Sequence, residues 1–487
     1  MTGIIIAILV IPLAAGIACF RMPARAASAV TVLSGIACFG LVLALTPEVA
    51  HGTVSYASYL RVDALSQVFL LATGFLYGAV SVYAVGYLKS HDDARYVHRL
   101  YLGFNVFAWA MLAAPMMGSL ALLWIAIEVT TVVSALLVAI EDTDGAAEAS
   151  WKYVLIASAG LGLGLLATIF VYYAGAQVLG AHSDLAIQPL LHAGARMPAT
   201  PVRLAFMLAV LGYGTKVGLV PMHTWLPDAH SQAPTPVSAL LSGALLATSF
   251  YAILRFYQVA VAALGSGFPR DTLLAFGIVS LLLASLYLFG QRDLKRFLAY
   301  SSVEHMGILA IGVSFGVPVA LAGVLLHVMA HAAAKGNAFM GAGVFTIKYG
   351  TKQMPVMRDG LRLLPWSGPF FLLTVLALSA FPPFGIFRSE FEIVAGGLGS
   401  GHYAAAAILV VLVTVAFIGL ATSTTRMLLA PAPDGGSAPG LAPEEPSAWM
   451  VIPVLAGLAV LLLLGLHPPG ELTNLITRAA TELRGAS

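Results

Sequence analysis

Six side chains of this sequence carry a charge or a titratable ring inside stretches that are otherwise apolar. Lys216 follows twelve uncharged residues and stands five residues before Pro221, in GYGTKVGLVPMHTWLPDAH. Glu128 is the sole charge in SLALLWIAIEVTTVVSALLVAI. His327, His331 and Lys335 recur at i, i+4 and i+8 in LLHVMAHAAAKGNAFMGAGVF, a spacing that lines all three on one helix face. Glu390 lies past the Pro382–Pro383 pair in FLLTVLALSAFPPFGIFRSEFEIV. Glu304, in SSVEHMG, and His223, two residues after Pro221, are further candidates. Carboxylates, amines and imidazoles in apolar surroundings are the groups that would suit a proton relay. Imidazole titrates near neutral pH, and a lysine's hold on its proton changes with desolvation and with the distance of a carboxylate. The bland alternative, buried ion pairs that only fix packing, weakens as such groups recur in several stretches. Two histidines at i, i+4 also suit zinc, but the Glu of His-Glu-x-x-His and a third ligand are missing, so no metal is expected. No catalytic or cofactor-binding residue is assigned.

Those groups need apolar elements to hold them. The chain is 60% hydrophobic and 9% charged, against about 45–50% and about 25% in soluble domains, so it reads as an integral membrane protein. A net charge of +2 excludes a nucleic-acid binder. Cys19 and Cys38 form no Cys-x-x-Cys pair, which argues against an iron–sulfur cluster or a thiolate zinc site. The first apolar stretch has no basic segment before it and no cleavage site, and is expected to be a membrane helix rather than a signal. GLGLGLL at 160–166 lacks the strand–turn–helix setting of a dinucleotide fingerprint and reads as close helix packing. No phosphate-binding loop occurs, so ATP does not drive this chain directly.

Fourteen apolar stretches are long enough to cross a bilayer, near 3–19, 27–46, 63–87, 100–117, 119–140, 152–175, 203–224, 235–264, 272–290, 297–315, 318–347, 368–392, 404–429 and 449–467. The fold class is therefore all-α and multi-pass, in the cell inner (plasma) membrane. Basic clusters follow odd-numbered stretches: Arg21 and Arg25; Lys89, Arg95 and Arg99; Arg292, Lys295 and Arg296; Lys348, Lys352, Arg358 and Arg362. Lys/Arg excess marks the cytoplasmic side, which puts both termini outside; Arg196, Arg203 and Arg270 run against the trend. Pro221 is expected to break the seventh helix and Pro382–Pro383 the twelfth. Broken backbone at membrane depth is tolerated only beside protein or water, which predicts a wet interior next to Lys216. Glu390 lies 174 residues after Lys216, and Glu304 176 after Glu128. The nearly equal offsets suggest two five-helix repeats, inverted because each has an odd number of spans, and paired broken helices point to a transport path. The expected organisation is 1–99 for the first three helices, 100–264 and 272–429 for the repeats, and 430–487 for a loop, a last helix and a tail.

KVGLVPMHTWLPDAHSQAPTPVSALLSG and DLKRFLAYSSVEHMGIL resemble the antiporter-like subunit family. This family includes the large proton-channel subunits of respiratory complex I, large subunits of multisubunit Na⁺/H⁺ antiporters and membrane subunits of energy-converting hydrogenases. The resemblance runs from about Leu60 to Arg426, and its details are most similar to component F of hydrogenase 4. It implies fourteen helices in two inverted repeats. It also implies coupled roles for Glu128 and Lys216, a central axis through His327, His331 and Lys335, and a terminal charged residue at Glu390. Ala247 departs from relatives that carry a lysine there, so the axis between the halves must use other groups. The implied function is a proton-translocating subunit of a hydrogenase-4 or formate-hydrogenlyase type complex. The alternatives are a subunit of complex I proper, of a multisubunit Na⁺/H⁺ antiporter, or the ion-driving partner of an inorganic-carbon uptake protein. The chain would belong to an oxidoreductase complex without a redox centre of its own. Ni–Fe and iron–sulfur centres or flavin are expected only in partner subunits. The implied partners are other membrane-arm and peripheral redox subunits, protons (with Na⁺ as the alternative ion) and lipid.

Overall fold

A computed structural model describes residues 1–57, 59–91, 93–180, 184–431 and 441–485. The helices are α1 (Thr2–Cys19), α2 (Ala24–His51), α3 (Ala64–Tyr87), α4 (Ala94–Ala113), α5 (Leu120–Val138), α6 (Asp144–Leu179), α7 (Ile187–Ala193), α8 (Ala199–Val217), α9 (Trp225–Gln232), α10 (Thr235–Leu240), α11 (Leu246–Leu264), α12 (Gly267–Tyr287), α13 (Leu294–Phe315), α14 (Pro318–Tyr349), α15 (Gly360–Leu363), α16 (Ser367–Leu378), α17 (Gly385–Gly399), α18 (Tyr403–Leu429), α19 (Ala448–Leu466) and α20 (Gly470–Leu483). A short antiparallel hairpin, β1 (Val54–Tyr56) and β2 (Leu60–Val62), pairs Val54 with Val62. Among the described residues, eleven helical spans are long and apolar enough to cross a membrane, which makes the chain a multi-span membrane protein.

The centre and the rim of the bundle differ in sequence. The Thr235–Leu264 span is buried along its whole apolar window, and α13 and α14 nearly so, whereas α1, α6, α12 and α18 bury about a third of theirs. The central helices, with the neighbouring α8 and α9, hold the deeply buried titratable side chains Lys216, His230, Glu304, His305, His327, His331 and Lys335, all at most 2% exposed. Small residues bring helices close where a side chain would block them. A Cβ on Gly212 of α8 would lie 2.5 Å from the Gly164 nitrogen and 2.7 Å from the Gly160 carbonyl of α6. Gly160 and Gly164, one turn apart, thus form the packing face of the 160–166 run, while Gly162 meets open space.

Both expected breaks exist, but the seventh ends earlier than its proline predicts. α8 stops at Val217, where Gly218 adopts φ +84°, and the N–H groups of Gly218 and Leu219 return to the Gly214 carbonyl. A left-handed glycine just past the last turn ends a helix by itself, so Pro221 only keeps it from resuming. Protein groups satisfy the opened backbone: Trp225 Nε1 donates to the Thr215 carbonyl at 2.7 Å, and the Val220 N–H donates to Ser280 Oγ at 3.0 Å. The second break separates α16 from α17, and Glu390 lies on α17. The eighth stretch is not a uniform helix: residues Leu241–Leu245 form a π-helical turn between α10 and α11. Glu304 lies in the middle of α13, whose start at Leu294 is capped by Asp293.

The segment after the last span, expected as a tail, is the helix α20. It packs its apolar face on α2, α3 and α14. Glu482 accepts from the Leu65 N–H at 3.2 Å, and Gln258 Nε2 donates to the Glu482 carbonyl at 3.0 Å. Beneath it, Arg255 Nη2 meets Asp63 Oδ1 at 2.6 Å, and Asp63 also caps α3. Burial opposes ionisation of Asp63, but the Arg255 guanidinium, with Arg61 and the Ser66 N–H, holds its carboxyl below the usual range. For Glu482, burial and then the Asp63 charge push the carboxyl up to about 7, against the pull of Arg255, the Leu65 N–H and Arg478.

Candidate functional site

Lys216 occupies the last turn of α8, where the carbonyl end of a helix favours a cation. It is fully buried, and Nζ donates to Thr131 Oγ1 and to Tyr153 OH, each at 2.8 Å. The Tyr153 oxygen lies 2.8 Å from Ser134 Oγ. Ser134 donates to the Thr130 carbonyl at 2.6 Å, so its lone pairs are free to accept from the phenol. The bonds run in one direction, from ammonium to phenol to hydroxyl to carbonyl. Lys216 and Glu128, expected to be coupled, are not in direct contact here: no ion pair within 4.0 Å joins the two among the described residues. Glu128 is half-buried on α5, and its Oε2 has no hydrogen-bond partner among the described residues. It precedes Thr131 by three residues, hence on the same helix face. The ammonium therefore sits one helical turn from the carboxylate, held by two hydroxyls.

The second cluster joins α13, α14 and α17. His305 Nδ1 lies 3.1 Å from His327 Nε2, and His327 Nδ1 lies 3.0 Å from Ser389 Oγ. Ser389 donates to the Ile386 carbonyl at 2.8 Å. Its hydroxyl can then only accept from His327, which fixes the proton on His327 Nδ1 and leaves Nε2 to accept from His305. Glu390 Oε1 approaches His305 Nδ1 at 4.0 Å. The His331 ring centre lies 5.2 Å from that of His305, and neither His331 nitrogen has a hydrogen-bond partner among the described residues. Lys335 Nζ donates to Ser301 Oγ at 2.7 Å and to the Leu298 carbonyl at 3.2 Å, one helical turn from Glu304, whose Oε2 has no hydrogen-bond partner among the described residues. The i, i+4, i+8 stripe thus faces the interior, and the break in the twelfth stretch lets α17 bring Ser389 and Glu390 against it.

Between the clusters, where Ala247 leaves no charge, lie His230, Lys295 and the Ser242–Ser302 pair. His230 stacks on Phe339 with ring centres 4.9 Å apart, and neither of its nitrogens has a hydrogen-bond partner among the described residues. Lys295 Nζ donates to the Ala233 carbonyl at 2.8 Å, and the two serine oxygens are 2.7 Å apart. Lys295 reads in the sequence as a topology signal, yet it is only 3% exposed. His223 stays apart, against Tyr300 at 6.4 Å. Sequence reasoning missed Tyr153, Thr131, His305, Ser389 and His230 as site residues. The available signals were polar side chains in apolar helices, His305 beside Glu304 and Ser389 beside Glu390. The His327/His331 pair gains no third ligand among the described residues, but a different set comes together in the fold: atoms of His305, His327 and Glu390 lie within 4.8 Å of one another. Two of them are already engaged in the imidazole–imidazole hydrogen bond, which a metal would have to displace.

Residues 117–417 match the protein family described as NADH:quinone oxidoreductase/Mrp antiporter, TM. The chain is 34% identical over 367 residues to Hydrogenase-4 component F homolog of Methylacidiphilum infernorum (isolate V4), covering 73% of this chain and 76% of that one. It is 31% identical over 346 residues to Hydrogenase-4 component B of Escherichia coli (strain K12), covering 68% of this chain and about half, 50%, of that longer protein. Its fold superposes on a chain of the Mrp complex from Dietzia sp. DQ12-45-1b with a TM-score of 0.83 at 21% identity, covering 99% of this chain and 98% of that one. With the broken helices, the buried lysine and the histidine stripe in place, the chain belongs to the NADH:quinone oxidoreductase/Mrp antiporter transmembrane family.

Proposed function

We propose that this chain moves protons across the membrane as a subunit of a redox-driven complex of the hydrogenase-4/formate-hydrogenlyase type. The observation that carries the reading is the buried hydrogen-bonded run His305–His327–Ser389 on α13, α14 and α17, with a Glu390 carboxylate oxygen 4.0 Å from His305 Nδ1. Titratable groups this deep in a membrane protein are expensive and belong to ion paths. Lys216 starts the path in the first half, Glu128 is its switching partner, and His230, Lys295 and the Ser242–Ser302 pair connect it to Lys335, Glu304 and the histidines. Two inverted repeats at 100–264 and 272–429, fourteen spans, a cell inner-membrane location and both termini outside complete the proposal. The redox centres are assigned to partner subunits, and the similarity to hydrogenase-4 components supports that assembly.

The test is proton uptake by vesicles holding the complete complex, driven by its electron donor. Lys216→Ala should abolish uptake with the complex still assembled. Lys216→Arg should impair it, because arginine does not release its proton. Undiminished uptake by Lys216→Ala would remove the lysine from the path, and uptake that follows Na⁺ rather than H⁺ would overturn the ion.

A further inference from the structure

We propose that a cavity between the ends of α12 and α18 binds the phosphate headgroup of an anionic phospholipid. The cavity measures about 400 Å³, and Phe289, Gln291, Arg292, Arg358, Ser423 and Arg426 line it. Three guanidiniums share one polar space. No carboxylate lies within 4.0 Å of any of them among the described residues, whereas Arg296, Arg362, Arg388 and Arg478 each pair with an acid. Arg358 Nη1 donates to the Arg426 carbonyl at 2.9 Å, which tethers the 354–358 segment to the last turn of α18. The Arg292 and Arg426 side chains make no hydrogen bond among the described residues. Like charges gathered without a counter-charge repel one another, and a bound anion relieves that repulsion. Arginine forks suit phosphate oxygens.

The surroundings favour a lipid over a free anion. Leu282, Leu286 and Phe289 fall at i, i+4 and i+7 of one helix face leading from the cavity, and they are 44%, 61% and 53% exposed. Across the seam, Ile418 and Val411 of α18 are exposed as well. The two helices are joined there by Ser285 Oγ donating to the Leu412 carbonyl at 3.1 Å. A headgroup in the cavity can therefore lay its acyl chains along this apolar seam. Arg292 and Arg358 belong to loops of the face assigned above to the cytoplasm. Basic pockets between membrane helices on that side are suited to acidic headgroups. This inference does not depend on the proton path.

The experiment uses the complete complex, delipidated in detergent, and measures retained lipid by native mass spectrometry and thermal stability on adding back defined lipids. Phosphatidylglycerol and cardiolipin should bind and stabilise; phosphatidylcholine and inorganic phosphate should not. The variant Arg292→Gln/Arg426→Gln keeps the Arg358 tether and should bind acidic lipid about thirtyfold more weakly, at about fivefold per arginine. Arg21→Gln/Arg25→Gln, on the same face but away from the cavity, should change nothing. Equal binding of phosphatidylcholine, or undiminished binding by the cavity variant, overturns the proposal. Stabilisation by inorganic phosphate alone makes it a free-anion site, and loss of a partner subunit without change in lipid makes it a protein interface. Either result also overturns it.

Discussion

Tyr153→Phe removes one oxygen and leaves the ring. Lys216 Nζ then loses one of its two hydroxyl partners and keeps Thr131 Oγ1 at 2.8 Å. The ring still lies 5.2 Å from the ammonium, so the cation–π contact survives. Ser134 is not orphaned, because it already donates to the Thr130 carbonyl. The substitution is therefore specific to the station that holds the ammonium away from Glu128. A hydrogen bond to a charged group contributes about 1.5–3 kcal/mol. At about 1.36 kcal/mol per tenfold, losing it shifts the balance between this station and the carboxylate by about 10- to 150-fold. If translocation requires the lysine to leave Glu128 for this station, proton uptake should fall by about tenfold or more, with complex assembly unchanged. Thr131→Val/Tyr153→Phe should approach the Lys216→Met level. Adding Glu128→Gln to Lys216→Met should do no further harm, since a switch already broken cannot be broken twice. The assay is donor-driven proton uptake in vesicles, normalised to assembled complex. Wild-type uptake by Thr131→Val/Tyr153→Phe would refute the two-station mechanism. So would full recovery of assembly and transport by the charge swap Glu128→Lys/Lys216→Glu, which would leave a static packing pair.

Other outcomes follow from named contacts. Glu482 has its carboxyl raised from an ordinary 4.5 to about 7, so its contribution to stability is fully present below about pH 4.5 and is lost as pH rises to about 7; with the side chain 19% exposed the effect is about 3 kcal/mol. Glu482→Gln should flatten that window in detergent thermal unfolding and in hydrogen exchange of α20, and an unchanged pH profile would contradict it. Gly212→Ala places a methyl group against the backbone of α6 and should cost about 1–3 kcal/mol, read as a lower unfolding temperature, whereas Gly162→Ala, with open space around it, should be neutral. His331→Gln should slow translocation, and the purified complex should carry no zinc stoichiometric with this chain; one tightly held zinc per chain, lost with His327→Ala or His305→Ala, would turn the relay into a metal centre. Because Cys19 and Cys38 are buried, single cysteines at Ala442 and Asn474 report orientation cleanly: the first should label only from the cytoplasm and the second only from outside, and the reverse pattern would invert the topology.

The sequence by itself determined what this protein is made of. Long apolar stretches with few charges can only be membrane helices, because an unpaired charge in lipid is costly, and that same cost singled out Glu128, Lys216, Glu390 and the histidine stripe. Helical periodicity placed His327, His331 and Lys335 on one face, since four residues advance a helix by slightly more than one turn. Local sequence also announced both breaks, though proline was credited with an ending that Gly218 makes. Tertiary structure decided which partners those groups have. No spacing rule relates Ser389 on α17 to His327 on α14, or Tyr153 on α6 to Lys216 on α8, because each contact depends on how helices distant in the chain are packed. The same holds for Lys295, a basic residue in a loop-like run that becomes buried only when α13 closes over the Ala233 carbonyl. Side-chain hydroxyls are common in apolar helices, where they satisfy their own backbone. Only the packed arrangement shows which of them, such as Thr131 and Ser389, also holds a group that carries a proton.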